Sequence, residues 1–445
     1  MVFSLSKWRR RSVVKPSENG TKTAGYQSRN DDATAPKSQS ALLLRAVKTP
    51  YEVTSDYEIP TIKHGHELLV KVTAVGLNPI DWKAPDFNFG IPVLPYIAGR
   101  EFVGTVIETP KTNNPRIRKG DVVIVPSTDY RDLRKAAFQQ HSIASSFNAI
   151  RLPESISEQS GAILGVAFVS AVLTLGICMG VDFSAIEDGP DLRSLVQEIG
   201  SGRLPEDIRK ECLQGIEDKE RAQPGNFLVV WGGSSTCAHI VKQLARLAGL
   251  KIISVVDTGK HGLRLSSQSA IRPDLLVDSH DPERAISIIK SATGNGARFG
   301  FDTQGKDSAA HLLRSLASTP EEYFPDEEIE FNTTSDKTKL PTPPSTPSKS
   351  STGKPTRSHL IGLTGLPKTG IPDDVALHSV PIKLFHEVPE VGEALSAWCE
   401  KLLAKGLLVT PDVVGVVEGL EGINAGLDRL RRREVSGGRL VAVLK

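Results

Sequence analysis

The residues best placed to do chemistry in this 445-residue chain form a glycine turn, Trp231-Gly232-Gly233-Ser234-Ser235-Thr236-Cys237-Ala238. It follows a continuous apolar run, NFLVVW (226–231), and opens a segment in which Ile240, Val241, Leu244, Leu247 and Ala248 recur at helical spacing. Glycines let a backbone approach a pyrophosphate, and a helix N-terminus offers unpaired N–H groups and the positive end of its dipole. The Ser and Thr hydroxyls add donors. A strict G-x-G-x-x-G is absent, so the alternative is a plain tight turn. The strand–turn–helix context favours dinucleotide binding, through Gly232, Gly233, Ser234, Ser235 and Thr236.

The next strand, KIISVV (251–256), ends at Asp257, where a carboxylate could accept hydrogen bonds from a ribose 2′-hydroxyl and so favour NAD. Lys260, His261 and Arg264 follow closely and would suit a 2′-phosphate, which favours NADP; their alternative is a solvated helix face. The balance leans to NADP(H). For metal chemistry the one close histidine pair is His64-Gly65-His66, with no Cys or acid at ligand spacing, so a solvated turn is expected and no metal site.

These groups need a frame. From 226 onward strands alternate with helices: KIISVV, LLVD (275–278), RFGFDT (298–303) and HLIGLT (359–364) are strands. DPERAISIIKSATG (281–294) is a helix with Asp281 as N-cap, Pro282 in its first turn and Gly294 beyond its end. Repeated βα units of this length predict a doubly wound parallel sheet over 226–380. Upstream, HELLVKVTAVGLN (66–78), REFVGTVIET (100–109) and KGDVVIVP (119–126) predict a compact β-rich domain over 41–182. Residues 183–225 mix charged, helix-like segments with loops and are expected to be a connecting insertion. After 380 come a helix (391–406), a strand near 413–418, another helix and a final strand, RLVAVL (439–444).

Two segments resist packing. Residues 1–40 carry eight Lys/Arg against three acids and read as a disordered basic tail, with a mitochondrial presequence as the alternative to a cytoplasmic protein. Residues 319–357 hold seven Pro and thirteen Ser/Thr, including Thr342-Pro and Thr346-Pro, and read as a disordered surface insertion. The formal charge of +2 gives no electrostatic case for a nucleic-acid partner. Four scattered cysteines without a C-x-x-C pair argue against a disulfide framework. The 21-residue uncharged stretch 161–181 is long enough to span a bilayer, yet it is diluted by Gly, Ser and Thr and lacks basic anchors. A buried helix, begun by a Ser155-x-x-Glu158 capping box, is the expectation, with no membrane association.

Taken together, VGLNPIDWK (75–83), AGREFVG (98–104), KGDVVIVP, the glycine turn, FDTQG (301–305) and GGRLVAVL (437–444) resemble the medium-chain dehydrogenase/reductase family. The resemblance implies a GroES-like β-rich domain, completed by 381–445, beside the Rossmann domain, with the cofactor in the cleft between them. Zinc-dependent members have cysteine where this chain has Asn78, and G-H-E where it has Gly99-Arg100-Glu101, so the zinc-independent branch is implied: quinone oxidoreductases, enoyl reductases and fungal trans-acting enoyl reductases. That implies hydride transfer to an enone, quinone or enoyl thioester. The substrate would be a small electrophile, free or carrier-bound, and the protein a monomer or homodimer. Lys83 is the first candidate to stabilise an enolate oxygen, Ser170 the second as a hydroxyl on the nicotinamide side, and Asn78 could hydrogen-bond ligand while Asp81 orients its loop. Asp302, Thr303 and Gly362 fall where the family's strands pass the cofactor, although Asp302 could simply cap the next helix. The reading from a different class is a non-catalytic nucleotide sensor or scaffold that uses its two disordered segments to hold partners.

Overall fold

Alternating and continuous apolar runs resolve into sixteen strands in a computed structural model, which describes residues 38–110, 115–316 and 356–444. The basic tail up to Lys37, and nearly all of the Pro/Ser-rich insertion with Thr342 and Thr346, lie outside the described residues. In chain order the first eight strands are β1 (Ser38–Leu44), β2 (Glu52–Glu58), β3 (Glu67–Gly76), β4 (Tyr96–Ile97), β5 (Glu101–Glu108), β6 (Val122–Pro126), β7 (His141–Ser145) and β8 (Ile150–Arg151). The rest are β9 (Phe227–Trp231), β10 (Lys251–Val256), β11 (Leu275–Asp278), β12 (Phe299–Asp302), β13 (Ser358–Gly362), β14 (Val375–Ser379), β15 (Val413–Glu418) and β16 (Arg439–Val443).

The helices are α1 (Pro79–Phe87), α2 (Glu158–Gly161), α3 (Gly165–Leu173), α4 (Leu192–Ile199), α5 (Glu206–Gln214) and α6 (Thr236–Leu247), then α7 (Thr258–Ser267), α8 (Pro282–Thr293), α9 (Lys306–Leu316), α10 (Lys383–Glu387), α11 (Pro389–Ala404) and α12 (Ile423–Arg431).

Two sheets carry the fold, and it is α/β, a GroES-like β-rich part beside a Rossmann-type parallel sheet. A six-stranded parallel sheet runs β11-β10-β9-β12-β13-β14. Its central strands are continuously apolar because helices cover both faces. The order reverses at β9, which places a crevice beyond the C-terminal ends of β9 and β12, where the glycine turn begins. A seven-stranded, largely antiparallel sheet runs β15-β16-β3-β5-β6-β8, with β7 on β3, and a smaller one runs β2-β1-β4. The last strand, β16, pairs antiparallel with β3 through Val441 to Val443, so the end of the chain returns to the first sheet.

Local details follow the residue types. Asp281 caps α8 by accepting from Arg284 N–H, and Gly294 ends it in the left-handed region at φ 62°. The expected cap at Ser155 is corrected: Ser157 does the work, its Oγ accepting from Ser160 N–H, because α2 begins at Glu158 and Ser155 stands outside its first turn. The long apolar stretch is 94% buried, as α2, α3 and a π-turn over Thr174–Cys178 in which Met179 N–H donates to Thr174 C=O, 3.1 Å. Residues 183–225 are more than a connector. Leu192, Val196, Leu204, Cys212 and Ile216 enter the same core as α3 and α6, so amphipathic α4 and α5 are part of the packed body. Where the described chain breaks between α9 and β13, its two ends meet: Ser358 Oγ donates to Leu316 C=O at 3.2 Å.

Candidate functional site

The glycine turn is held tight by its neighbours. Gly232 has φ 79°, a region costly for any side chain, and a Cβ there would stand 2.3 Å from Thr303 Oγ1. A Cβ on Gly233 would stand 1.8 Å from Ser254 Oγ. Thr303 Oγ1 donates to Gly232 C=O at 3.0 Å, tying the end of β12 to the turn. Thr303 therefore buttresses the turn. Ser235 caps α6, accepting from Ala238 N–H at 3.1 Å; Ser234 and Ser235 are half-buried, while Gly232, Gly233 and Thr236 are buried. Beneath the turn, buried Lys242 donates from Nζ to Gly233 C=O at 2.8 Å. Burial, with Arg264 and Arg246 nearby, brings its ammonium down to about 7.

Thr236 also meets the other sheet. Arg439, at the start of β16, donates to Thr236 Oγ1, to Glu101 Oε1 and, at 2.5 Å, to Asn78 Oδ1. Asn78 Nδ2 donates to Glu101 Oε1 at 3.0 Å and to Gly76 C=O at 3.2 Å, and Glu101 Oε2 accepts from Val166 N–H at 2.9 Å. All four side chains are buried. This network joins the ends of β3, β5 and β16 to the first turns of α3 and α6. Sequence reading missed Arg439 although the run GGRLVAVL contains it, because its partners lie 203, 338 and 361 residues away.

Asn78 is therefore corrected from a ligand-facing residue to a positioning one: both ends of its amide are engaged, and only 4% of it is exposed. Ser170 is corrected too. It is buried where α3 crosses α6, and its hydroxyl pairs with the Cys237 thiol. Lys83 stays open to a ligand. It is half-buried on α1 with Nζ 5.8 Å from the Trp82 ring, and among the described residues no carboxylate pairs with it. Asp81, buried beside it, accepts Asn78 N–H at 2.8 Å and orients the start of α1. Burial, against the pull of Arg100, raises its carboxyl to about 6.

At the end of β10, Asp257 caps α7 by accepting Lys260 N–H at 3.1 Å; Lys260 Nζ lies 3.2 Å and His280 Nε2 3.6 Å from its carboxylate. His280 is an addition from the next strand–helix connection. His261 and Arg264 are corrected: Ser436 Oγ pairs with His261 Nε2 at 2.7 Å, and Arg264 Nε donates to Asp412 at 2.6 Å, so both tie α7 to the returning C-terminal segment. Of the expected cationic trio only Lys260 stands beside Asp257 with its charge exposed.

Asp302 ends β12 fully buried. Its Oδ1 accepts Gln304 and Gly305 N–H ahead of α9, while Oδ2 has no partner and burial raises its carboxyl. Gly362 ends the neighbouring β13, where a Cβ would strike Leu366. Ser254 Oγ on β10 and Asp302 Oδ2 on β12 are thus orphaned polar atoms on the two strands that flank β9, whose C-terminal end opens into the cramped turn. Such a set fits a dinucleotide: N–H groups and an arginine for the pyrophosphate, and polar strand ends for ribose and amide groups. It does not fit catalytic zinc at the site of Asn78, whose neighbours Glu101 and Arg439 offer no thiolate or imidazole. His64 and His66 are exposed and stack on each other at 5.6 Å.

The chain is similar in sequence and in fold to known proteins. Residues 64–167 match the alcohol dehydrogenase GroES-like domain family. A trans-enoyl reductase of Thermothelomyces thermophilus is 25% identical over 431 residues, covering 93% of this chain and 99% of its own. Human quinone oxidoreductase is 30% identical over 244 residues, covering 55% and 58% respectively. The crystal structure of Escherichia coli quinone oxidoreductase complexed with NADPH superposes with a TM-score of 0.60 at 15% identity, over 91% of this chain and 99% of that one.

Proposed function

We propose that this chain, which belongs to the zinc-independent branch of the medium-chain dehydrogenase/reductase family, is an NADP(H)-dependent reductase of an electron-poor C=C bond or a quinone. The observation that carries the reading is the arginine at the glycine turn. Arg439 donates to Thr236, on the first turn of α6, with its charge paired to Glu101, so a buried ion pair braces the helix N-terminus that would face the pyrophosphate.

When bound, the reduced nicotinamide supplies a hydride. The protein's part is to hold and to stabilise. Gly232, Gly233, Ser234 and Ser235 present backbone N–H groups and hydroxyls to the pyrophosphate. Lys260 and His280 flank the ribose end beside Asp257 and give a 2′-phosphate two cationic or donor partners, which supports NADP(H) over NAD(H). Lys83 offers its ammonium to the oxygen that gains charge as an enone, quinone or enoyl thioester accepts hydride. The likeness to trans-enoyl reductases supports an enoyl thioester, free or on a carrier, as the acceptor.

The test is NADPH oxidation by the purified chain against a panel of enones, quinones and enoyl thioesters. Turnover of one acceptor class with a preference for NADPH over NADH supports the reading. NADPH binding with no turnover across the panel overturns the enzymatic part of it and favours a nucleotide-binding sensor.

A further inference from the structure

A second cluster of reactive side chains lies among residues that carry no part of the proposed reaction. Cys178 closes the π-turn after α3, Glu211 stands on α5, and His378 lies on β14, the outer strand of the six-stranded sheet. Cys178 Sγ, a Glu211 carboxylate oxygen and a His378 ring nitrogen all fall within 4.8 Å of one another. Cys178 and His378 are buried, and Glu211 is partly exposed in a surface cleft of about 540 Å³ lined also by Ile208, Gln214, Arg357 and Val380.

His378 is hydrogen-bonded on both sides of its ring. His378 Nε2 lies 2.9 Å from His359 Nδ1 on the adjacent strand β13. His359 is fully buried; its Nε2 has no hydrogen-bond partner and faces Glu220 Oε2 at 3.8 Å. Glu220 is an ionised carboxylate, bound by Arg357 at 2.8 and 3.0 Å. Burial, reinforced by His378, keeps His359 neutral, its value lowered to about 3. On its other side His378 Nδ1 lies 2.7 Å from Glu211 Oε1, within hydrogen-bond distance. The sulfur of Cys178 makes the third corner of the same space.

We propose that Cys178, Glu211 and His378 form a binding site for a zinc-like divalent transition-metal ion. Thiolate, carboxylate and imidazole are the donor types such an ion takes, and two anionic ligands neutralise its charge, which a mostly buried site requires. Bonds of about 2.0–2.3 Å ask the His378–Glu211 pair to open slightly and the sulfur to close in. The fourth position faces the cleft and takes water. His359, Glu220 and Arg357 form the outer shell, fixing the His378 tautomer. Binding displaces the Cys178 thiol proton, which burial keeps on the sulfur in the metal-free protein, and replaces the His378–Glu211 hydrogen bond. The ion would fasten α5 to the end of α3 and to the edge of the parallel sheet.

The test is a titration of the chelator-treated full chain with Co²⁺, then with Zn²⁺ as competitor. One equivalent of Co²⁺ should give thiolate-to-cobalt absorption in the near ultraviolet, which Zn²⁺ displaces, with proton release as the thiol ionises. Cys178→Ser should abolish the absorption, and His359→Gln should weaken binding by about 10–100-fold. Glu211→Gln is the control for folding, because its side chain reaches solvent: it should keep the native circular dichroism and lose at least 10-fold in affinity. The NADPH affinity of the Zn²⁺-loaded and metal-free chains should be equal, which separates this site from the nucleotide cleft. Absence of the thiolate band, its survival in Cys178→Ser, or full affinity in Glu211→Gln would overturn the proposal.

Discussion

Arg439 on β16 and Glu101 on β5 form a buried ion pair across the intervening strand β3 of the seven-stranded sheet, with Arg439 7% and Glu101 0% exposed. Breaking one side of such a pair leaves an uncompensated charge, which costs about 3–5 kcal/mol. Arg439→Met should lose about that much stability in urea denaturation and weaken NADPH binding. Arg439→Met combined with Glu101→Gln should recover part of the stability and none of the NADPH affinity. Recovery of both would deny Arg439 a place at the pyrophosphate.

Gly233 is required by Ser254 rather than by its own backbone. Gly233→Ala should displace the turn and weaken NADPH binding by at least 10-fold, since the new Cβ would stand 1.8 Å from Ser254 Oγ. Adding Ser254→Gly removes the obstacle and should restore most of the affinity. A double variant as weak as the single one would show that the turn fails for another reason.

The role proposed for Lys83 is on the reaction and not on the cofactor. Lys83→Met should lower kcat by about 100-fold, the scale of one lost oxyanion donor, and leave the NADPH dissociation constant unchanged. A lysine that only packs on Trp82 would move neither quantity by more than a few-fold.

Lys260→Ala should weaken NADPH binding by about 3–10-fold, or about 0.7–1.4 kcal/mol, and leave NADH binding where it was. The loss should shrink as salt is raised, because Lys260 is exposed. An equal loss for both cofactors would place its role in holding the Asp257 carboxylate rather than a 2′-phosphate.

Lys242 gives stability a pH dependence of definite sign. Its ammonium is lowered from 10.5 to about 7 in the fold, so between roughly pH 7 and 10 the unfolded chain binds the extra proton. Stability then rises with pH across that window, by up to about 1.4 kcal/mol per pH unit from this one group. Lys242→Met should flatten the rise, as read by urea denaturation at pH 7 and pH 9. Parallel curves for the two proteins would contradict it.

What could be read from the sequence was what is local. Strand and helix periods, the Asp281 cap, the Gly294 stop and the glycine turn each depend on neighbours within a few residues, and each stands where its pattern puts it. The β16 return to β3 came from resemblance alone, since no short-range pattern encodes a partner more than 360 residues away. The site was harder. Ser170 and Asn78 are polar residues at suggestive positions, but their hydrogen bonds go to Cys237, Glu101 and Arg439, and only the packed fold reveals that they are already engaged. His261 and Arg264 looked like anion binders because Ser436 and Asp412, which engage them, are 175 and 148 residues further on. Lys242 reads as one more charge on a helix until α6 is packed and its ammonium lies under Gly233.

The Ser358–Leu316 hydrogen bond closes the mouth of the excursion between α9 and β13, since the chain leaves and re-enters the sheet layer at neighbouring points. Nothing in the folded body has to stretch if the intervening segment grows or shrinks. That point of the fold is a graft site: a tag, a reporter or a whole independently folded module inserted there would hang from the molecule by two adjacent tethers and leave the parallel sheet undisturbed.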